Sequence, residues 1–378
     1  MKNNYFIQNC SKKLFLGHLG ISTLFVAIIL GLSACEKPMQ LIPQTETEGN
    51  HLKAAVAEEA YFHIVVLPDA QYYTSLKYGG NMDMFHYQID WIINNKTSSK
   101  IAYVITLGDM SDHGDDAPIE FTRGGTEMYR LEAANIPYGT AVGNHDETPN
   151  GSPESGGTDQ YANWFGRYHM ETKPWYGSAY GSSNNNDNHY DLFTACGTEF
   201  IVLYIEYNAP NNALYNPTIA NNVMNWADGV LNTYSSRKAI IVSHSILNKP
   251  IGSDSDYRGG NGNNNVASTF TDQGNAIYNR MKLHSNVFLM LCGHISGEGL
   301  RQDTYNGNVI KSYLSDYQSR QDSPYGGDSD RNGGNGFMRL MKFSITNQTL
   351  SVRTVAPRPG ANILETDSDS QFSNLLYN

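Results

Sequence analysis

The chain has 378 residues, with 26 Lys and Arg against 37 Asp and Glu, and a formal net charge of −11. An acidic chain with scattered bases excludes the clustered cationic footprint on which nucleic-acid binding depends, so no nucleic-acid partner is expected. The length exceeds that of an average domain but suits one α/β unit.

Residues 1–34 read as a secretory signal. Lys2, Lys12 and Lys13 form a basic start with no acidic residue before Glu36. An apolar centre follows from Ile21 to Leu32, and small residues close it in Leu32-Ser33-Ala34-Cys35. The apolar run is too short for a membrane-spanning helix. The closing four residues resemble the lipobox of bacterial lipoproteins, which implies a lipidated Cys35 as the new N-terminus. The expectation is an exported protein, attached to the cell envelope by a lipid anchor only. Residues 35–60 carry Pro38, Pro43 and a run of Glu without periodicity, as a flexible tether would. Beyond the leader and Cys35 only Cys196 and Cys292 remain. An exported protein allows them to pair, but both flank strand-like runs, which favours two buried free thiols.

Apolar runs suited to buried strands occupy His63–Leu67, Ile101–Leu107, Ala239–Val242 and Asn286–Leu291, with a weaker one at Pro137–Val142. Helices are predicted over 82–95, with Phe85, Ile89, Ile92 and Ile93 on one face, and over 120–134, 219–234 and 272–284. A hairpin is predicted from 190–194 and 199–205. After Gly299 the pattern becomes strands alone, at 308–314, 336–345 and 350–355. Strands with helices first and strands later imply an α/β fold: a four-layer α/β/β/α sandwich of two mixed sheets. The organisation expected is a main domain over 61–300, then trailing strands over 301–378 that complete it and end in a polar tail. Loops rich in Gly, Asn, Ser and Asp fall at 149–158, 252–265 and 322–335. Asp322, Asp328 and Asp330 do not match a calcium-loop spacing and read as a solvated turn.

Each strand-like run is followed by ligand-type side chains: Pro68-Asp69-Ala70-Gln71, Gly108-Asp109-Met110-Ser111-Asp112, Gly143-Asn144-His145-Asp146, Ser243-His244-Ser245 and Gly293-His294-Ile295-Ser296. Ligands bind beyond the carboxyl ends of strands in such sheets, so these residues should ring one crevice as a metal site.

Taken together, in this order, the segments resemble the calcineurin-like metallophosphoesterase family over about 61–299. The resemblance implies hydrolysis of a phosphate mono- or diester by a metal-activated hydroxide, with one or two divalent ions (Mn, Mg, Fe or Zn). It implies that Asp109 bridges the ions and that Asn144, His244 and His294 complete one shell, with Asp69 on the other ion. His145 would be the general acid, oriented by Asp146, and Asp112 would support the shell by hydrogen bonding. Two positions depart from the family pattern. Gln71 stands where D-x-H has its His, and Ser296 where G-H-x-H has its second His. The first ion would keep Asp69 and Asp109, with the Gln71 carbonyl oxygen, and would favour harder cations. The D-x-Q opening and Asp316-Tyr317-Gln318 resemble a branch of exported members. A one-metal hydrolase with altered substrate, or a non-catalytic binding protein on a degenerate fold, stay open as alternatives. His113 and Glu298 neighbour motif residues and are candidates to replace a lost ligand. Tyr72 and Tyr73, beside Asp69, are candidates to line the substrate cleft. His63 reads as structural, and His86 and His284 as solvated.

Overall fold

The computed structural model describes residues 58–153, 157–250, 267–318, 333–360, 362–365 and 370–377. The predicted signal, Cys35, nearly all of the tether, and most of the loops at 252–265 and 322–335 lie outside them.

Three apolar runs become β1 (Tyr61–Leu67), β2 (Ile101–Thr106) and β3 (Tyr138–Thr140), paired in parallel. The chain between them forms α1 (Gln71–Ser75), α2 (Met82–Asn95) and α3 (Pro118–Ala133). Phe85, Ile89 and Ile92 bury one stripe of α2, while Ile93 is only half-buried. Two short helices, α4 (Asp159–Phe165) and α5 (Arg167–Met170), lead to β4 (Tyr176–Ala179), β5 (His189–Ala195) and β6 (Thr198–Ile205). The predicted hairpin is the antiparallel β5–β6 pair. Next come α6 (Pro217–Thr233), β7 (Lys238–Ser243), α7 (Asp272–Met281) and β8 (Val287–Cys292). The rest is strand: β9 (Gly297–Tyr305), β10 (Asn308–Asp316), β11 (Met338–Ser344), β12 (Thr349–Ala356), β13 (Ile363–Leu364) and β14 (Gln371–Leu375).

The first sheet runs β13-β12-β11-β1-β2-β3, with β14 also pairing β12; the second runs β4-β5-β6-β7-β8-β10-β9. Both are mixed. β11 is antiparallel to β1, and β9 is antiparallel to β10, whereas β6, β7, β8 and β10 are parallel. Side chains alternate across β6 as strand geometry requires. Phe200, Val202 and Tyr204 join the core shared with the first sheet, while Ile201, Leu203 and Ile205 pack with Val223, Ala227 and Ile277 of α6 and α7. Aromatic rings fill the space between the sheets: Phe62 lies 5.4 Å from Phe200, and Tyr103 stacks on Phe193 at 4.9 Å. Burying each such ring contributes about 1.5–3 kcal/mol. The helices α2 and α3 bury Phe85, Ile89, Phe121 and Met128 with the first sheet, whose other face is taken by the second. The four-layer α/β/β/α arrangement follows. Among the described residues no helix is long and apolar enough to cross a membrane.

A buried polar network joins the sheets. Arg339 of β11 donates from Nη2 to Glu298 Oε1 of β9 at 2.8 Å and from Nε to Tyr317 Oη at 3.2 Å. Glu298 also accepts from the hydroxyls of Tyr317, Thr354 and Ser370. Glu298 is thus occupied in binding the trailing strands to the second sheet, away from the role of a replacement ligand.

Other expectations need correction. Tyr73 is buried, and its hydroxyl accepts from Gly336 N at 2.8 Å, so it does not line a cleft. Both cysteines are free, but Cys196 is exposed because it falls in the tight β5–β6 turn at φ 47°; Cys292 alone is buried. His284 is largely enclosed and contacts Asp228 at 2.9 Å.

Candidate metal centre

Every motif lies just past the carboxyl end of a strand. Asp69 follows β1, Asp109 follows β2, Asn144 follows β3, His244 follows β7 and His294 follows β8. Since β1, β2 and β3 are parallel in one sheet and β7 and β8 in the other, the carboxyl ends of both sheets meet at one place. Ligand atoms of Asp69, Asp109 and His244 lie within 4.8 Å of one another, and all three residues are buried. The His294 ring stands 4.9 Å from that of His244. His294 N donates to Asp69 Oδ2 at 3.1 Å, and His145 N donates to Asp109 Oδ1 at 3.0 Å. These two bonds tie four of the motif segments together.

The glycines of the motifs have steric reasons. A Cβ at Gly143 would fall 2.1 Å from Asp109 Oδ1, and one at Gly108, where φ is 102°, would fall 2.7 Å from His244 Nδ1. Asp109 and His294 themselves hold left-handed backbone, at φ 50° and 70°. That conformation costs roughly 1–2 kcal/mol for a side chain with Cβ, a cost often found at functional sites.

Hydrogen bonds aim the side chains. His244 donates Nδ1–H to the Leu107 carbonyl at 2.8 Å, which leaves Nε2 facing Asp109 Oδ2 at 3.2 Å. Asn144 donates Nδ2 to Asn150 Oδ1 at 3.1 Å, and its buried Oδ1 has no hydrogen-bond partner. Asp69 Oδ1 and Gln71 Oε1 are buried without partners as well. Burying polar atoms unpaired costs free energy unless something else satisfies them, and oxygens converging on one point suit a cation.

The electrostatics agree. Burial, and next the charge of Asp316, push the Asp69 carboxyl well above its ordinary range. Burial and Asp109 push Asp146 up to about 7. Burial works against charge on Asp109 too, but the imidazole of His244 outweighs it and holds that carboxyl below its ordinary value. Burial lowers His244, yet Asp109 and Asp69 raise it to about 10. Burial and the charge of His244 lower His294 to about 4. The buried carboxylates gathered around His244 Nε2 mark the place a metal ion would take. The residues present therefore fit divalent ions.

Two roles differ from those expected. Asp146 does not touch His145. Its carboxylate accepts from Ser111 N and Gly143 N, each at 2.9 Å. Asp112 is the partner of His145: Nδ1 lies 2.9 Å from the Asp112 carbonyl and 3.3 Å from its Oδ1. Lys77 pairs with the other Asp112 oxygen. His113 is held by Glu120 at 2.8 Å and by Lys77, so it stays away from the converging ligands. Asp316, not singled out as a ligand from sequence, accepts from the hydroxyl of the motif residue Ser296 at 3.2 Å and from Gln318 N at 2.9 Å. The signal was present in Asp316-Tyr317-Gln318, which mirrors Asp69-Ala70-Gln71.

The calcineurin-like phosphoesterase family profile matches residues 62–297, and the chain belongs to that family, which uses divalent metals. An uncharacterized Bacillus subtilis (strain 168) protein, YvnB, is 26% identical over 343 residues, which cover 89% of this chain and 22% of YvnB. The chain spans about a fifth of that relative's length. A dimetal phosphatase from Danio rerio is 14% identical with a TM-score of 0.46, over 82% of this chain and 100% of its own. Purple acid phosphatase PPD1 from yellow lupin (Lupinus luteus) seeds is 13% identical with a TM-score of 0.46, over 84% and 54%.

Proposed function

We propose that this chain hydrolyses a phosphate mono- or diester with divalent ions held by Asp69, Asp109, Asn144, His244 and His294. The observation that carries the reading is the convergence of Asp69, Asp109 and His244 within 4.8 Å, amid buried oxygens without partners. Divalent ions there would polarise the phosphoryl group and acidify a water for in-line attack. Asp109, at the junction of the two ligand sets, is the residue to bridge them. His145 supplies the proton to the leaving oxygen from Nε2, since Nδ1 is committed to Asp112. Its side chain is a third exposed, enough to meet a substrate at the rim.

Purified protein should contain tightly bound divalent metal and cleave generic aryl phosphate mono- or diesters. Chelation should remove the activity, and Mn²⁺ or Mg²⁺ should restore it. Protein that binds no metal and cleaves no phosphate ester would rule the reading out in favour of a binding protein.

We also propose that the protein is exported and lipid-anchored through Cys35. The support is the basic leader, the apolar centre and Leu32-Ser33-Ala34-Cys35. Cys35→Ala should move the protein from the membrane fraction to the soluble fraction. An unchanged distribution would show that Cys35 is not the anchor.

A further inference from the structure

The two family imidazoles missing at Gln71 and Ser296 pose a structural question: what surrounds Asp69 in their place. Ser296, at the second position, donates its hydroxyl to Asp316 Oδ2 at 3.2 Å. Asp316 is the last residue of β10, which runs parallel to β8 with Leu314 opposite Cys292. Asp316 stands two residues past Leu314, as His294 stands two past Cys292. It therefore occupies the same carboxyl-end level of the neighbouring strand, the level from which every other motif acts.

The carboxylate is 1% exposed. Its other oxygen, Oδ1, accepts from Gln318 N at 2.9 Å, which draws Gln318 alongside. Gln318 is 8% exposed and Gln71 1%, and the side-chain oxygen of each is buried without a hydrogen-bond partner. Asp69 Oδ1 is in the same condition. Buried carboxylates beside amide oxygens with nothing to accept from suit a cation.

We propose that Asp316, oriented by Ser296 and helped by the amide oxygens of Gln71 and Gln318, replaces the lost imidazoles and completes a first metal site made of oxygen only. Asp69 and Asp109 supply its remaining ligands. A histidine at 296 would take the space from which the serine hydroxyl aligns this carboxylate, so the Ser296 and Asp316 identities belong together. The donor set favours a hard ion, Mg²⁺, Mn²⁺ or Ca²⁺, whereas His244, His294 and Asn144 form a second, imidazole-containing site beside it. The centre is thus chemically asymmetric, with the more easily exchanged ion on the Asp316 side. This inference rests on the metal-dependent reading above.

The test counts metal and reads its spectrum. The parent protein and the Asp316→Asn and Gln318→Ala variants are stripped with chelator, titrated with Mn²⁺, and followed by elemental analysis and electron paramagnetic resonance. The parent should take up two Mn²⁺ per chain and show a spin-coupled pair. Asp316→Asn should hold one and lose the coupled signal, and Gln318→Ala should bind the second ion about 10–100-fold more weakly, the range for loss of a supporting group at a metal. Near-ultraviolet circular dichroism checks that each variant is folded; if Asp316→Asn is not, Gln318→Ala decides alone. Two Mn²⁺ retained at parental affinity in the folded variants would overturn the inference and leave the phosphoesterase reading standing. A parent that binds no Mn²⁺ would overturn both.

Discussion

His145→Ala is expected to lower kcat by about 10²–10⁴-fold on an ester with a poor leaving group, with bound metal unchanged. His145 is adjacent to the ligand Asn144, yet its side chain turns to Asp112 at the rim and not to the buried trio of Asp69, Asp109 and His244. Its backbone N–H, which holds Asp109 Oδ1, survives the substitution. The loss should therefore fall on proton transfer alone. An aryl ester whose leaving group departs as a stable anion needs no proton, so the deficit should shrink on that substrate. Parallel kinetics on the two esters with metal analysis check this. Equal losses on both, or metal lost with the imidazole, would make His145 a ligand or a structural residue.

Arg339→Ala should lower the free energy of unfolding by about 3–5 kcal/mol, because it strands a buried charge. Arg339 is 2% exposed and Glu298 1%. The hydroxyls of Tyr317, Thr354 and Ser370 would still reach Glu298, but the Arg339 guanidinium would no longer face it. The double variant Arg339→Met with Glu298→Gln should recover much of that loss, since replacing both partners removes the unpaired charge. Urea unfolding of the parent, single and double variants measures the difference. A single variant with the parental midpoint would show that water reaches Glu298 and that the pair is not sealed.

Much of the central architecture was legible because the central strands are apolar on both faces. Ile101–Thr106, Val287–Cys292 and the β5–β6 hairpin appear close to where their residue types put them. Helix starts were read late where a proline opens them. The helices α3 and α6 begin at Pro118 and Pro217, whose fixed φ suits the first turn, and Asn216 caps the latter by accepting from Thr218 N and Ile219 N. Edge strands were missed. β9 carries Glu298, Arg301, Gln302 and Asp303, pairs on one side only, and so shows no apolar run. In the site, ligand types at strand ends could be read from five segments. The direction of each side chain could not, which is why the partners of Asp146 and Asp112 differ from the expected ones. Asp316 carries no ligand role in the sequence reading because its strand follows the motif series, and only the echo of Asp69-Ala70-Gln71 in Asp316-Tyr317-Gln318 marks it.

The position of β11 sets a timetable. Tyr61 pairs with Ser344 and Val66 with Arg339, so β1, which carries Asp69 at its end, lacks one neighbour until most of the chain has been made. The first sheet cannot close from the N-terminus onward; β11 joins β1 late, and β12, β13 and β14 follow it. Pairings of such long sequence separation form slowly, since the intervening chain must lose its freedom before the contact is gained. Asp69 and Asp109 are set in register by the β1–β2 pairing, but β1 stays open on its other side until β11 arrives, so the strand that carries Asp69 is secured late.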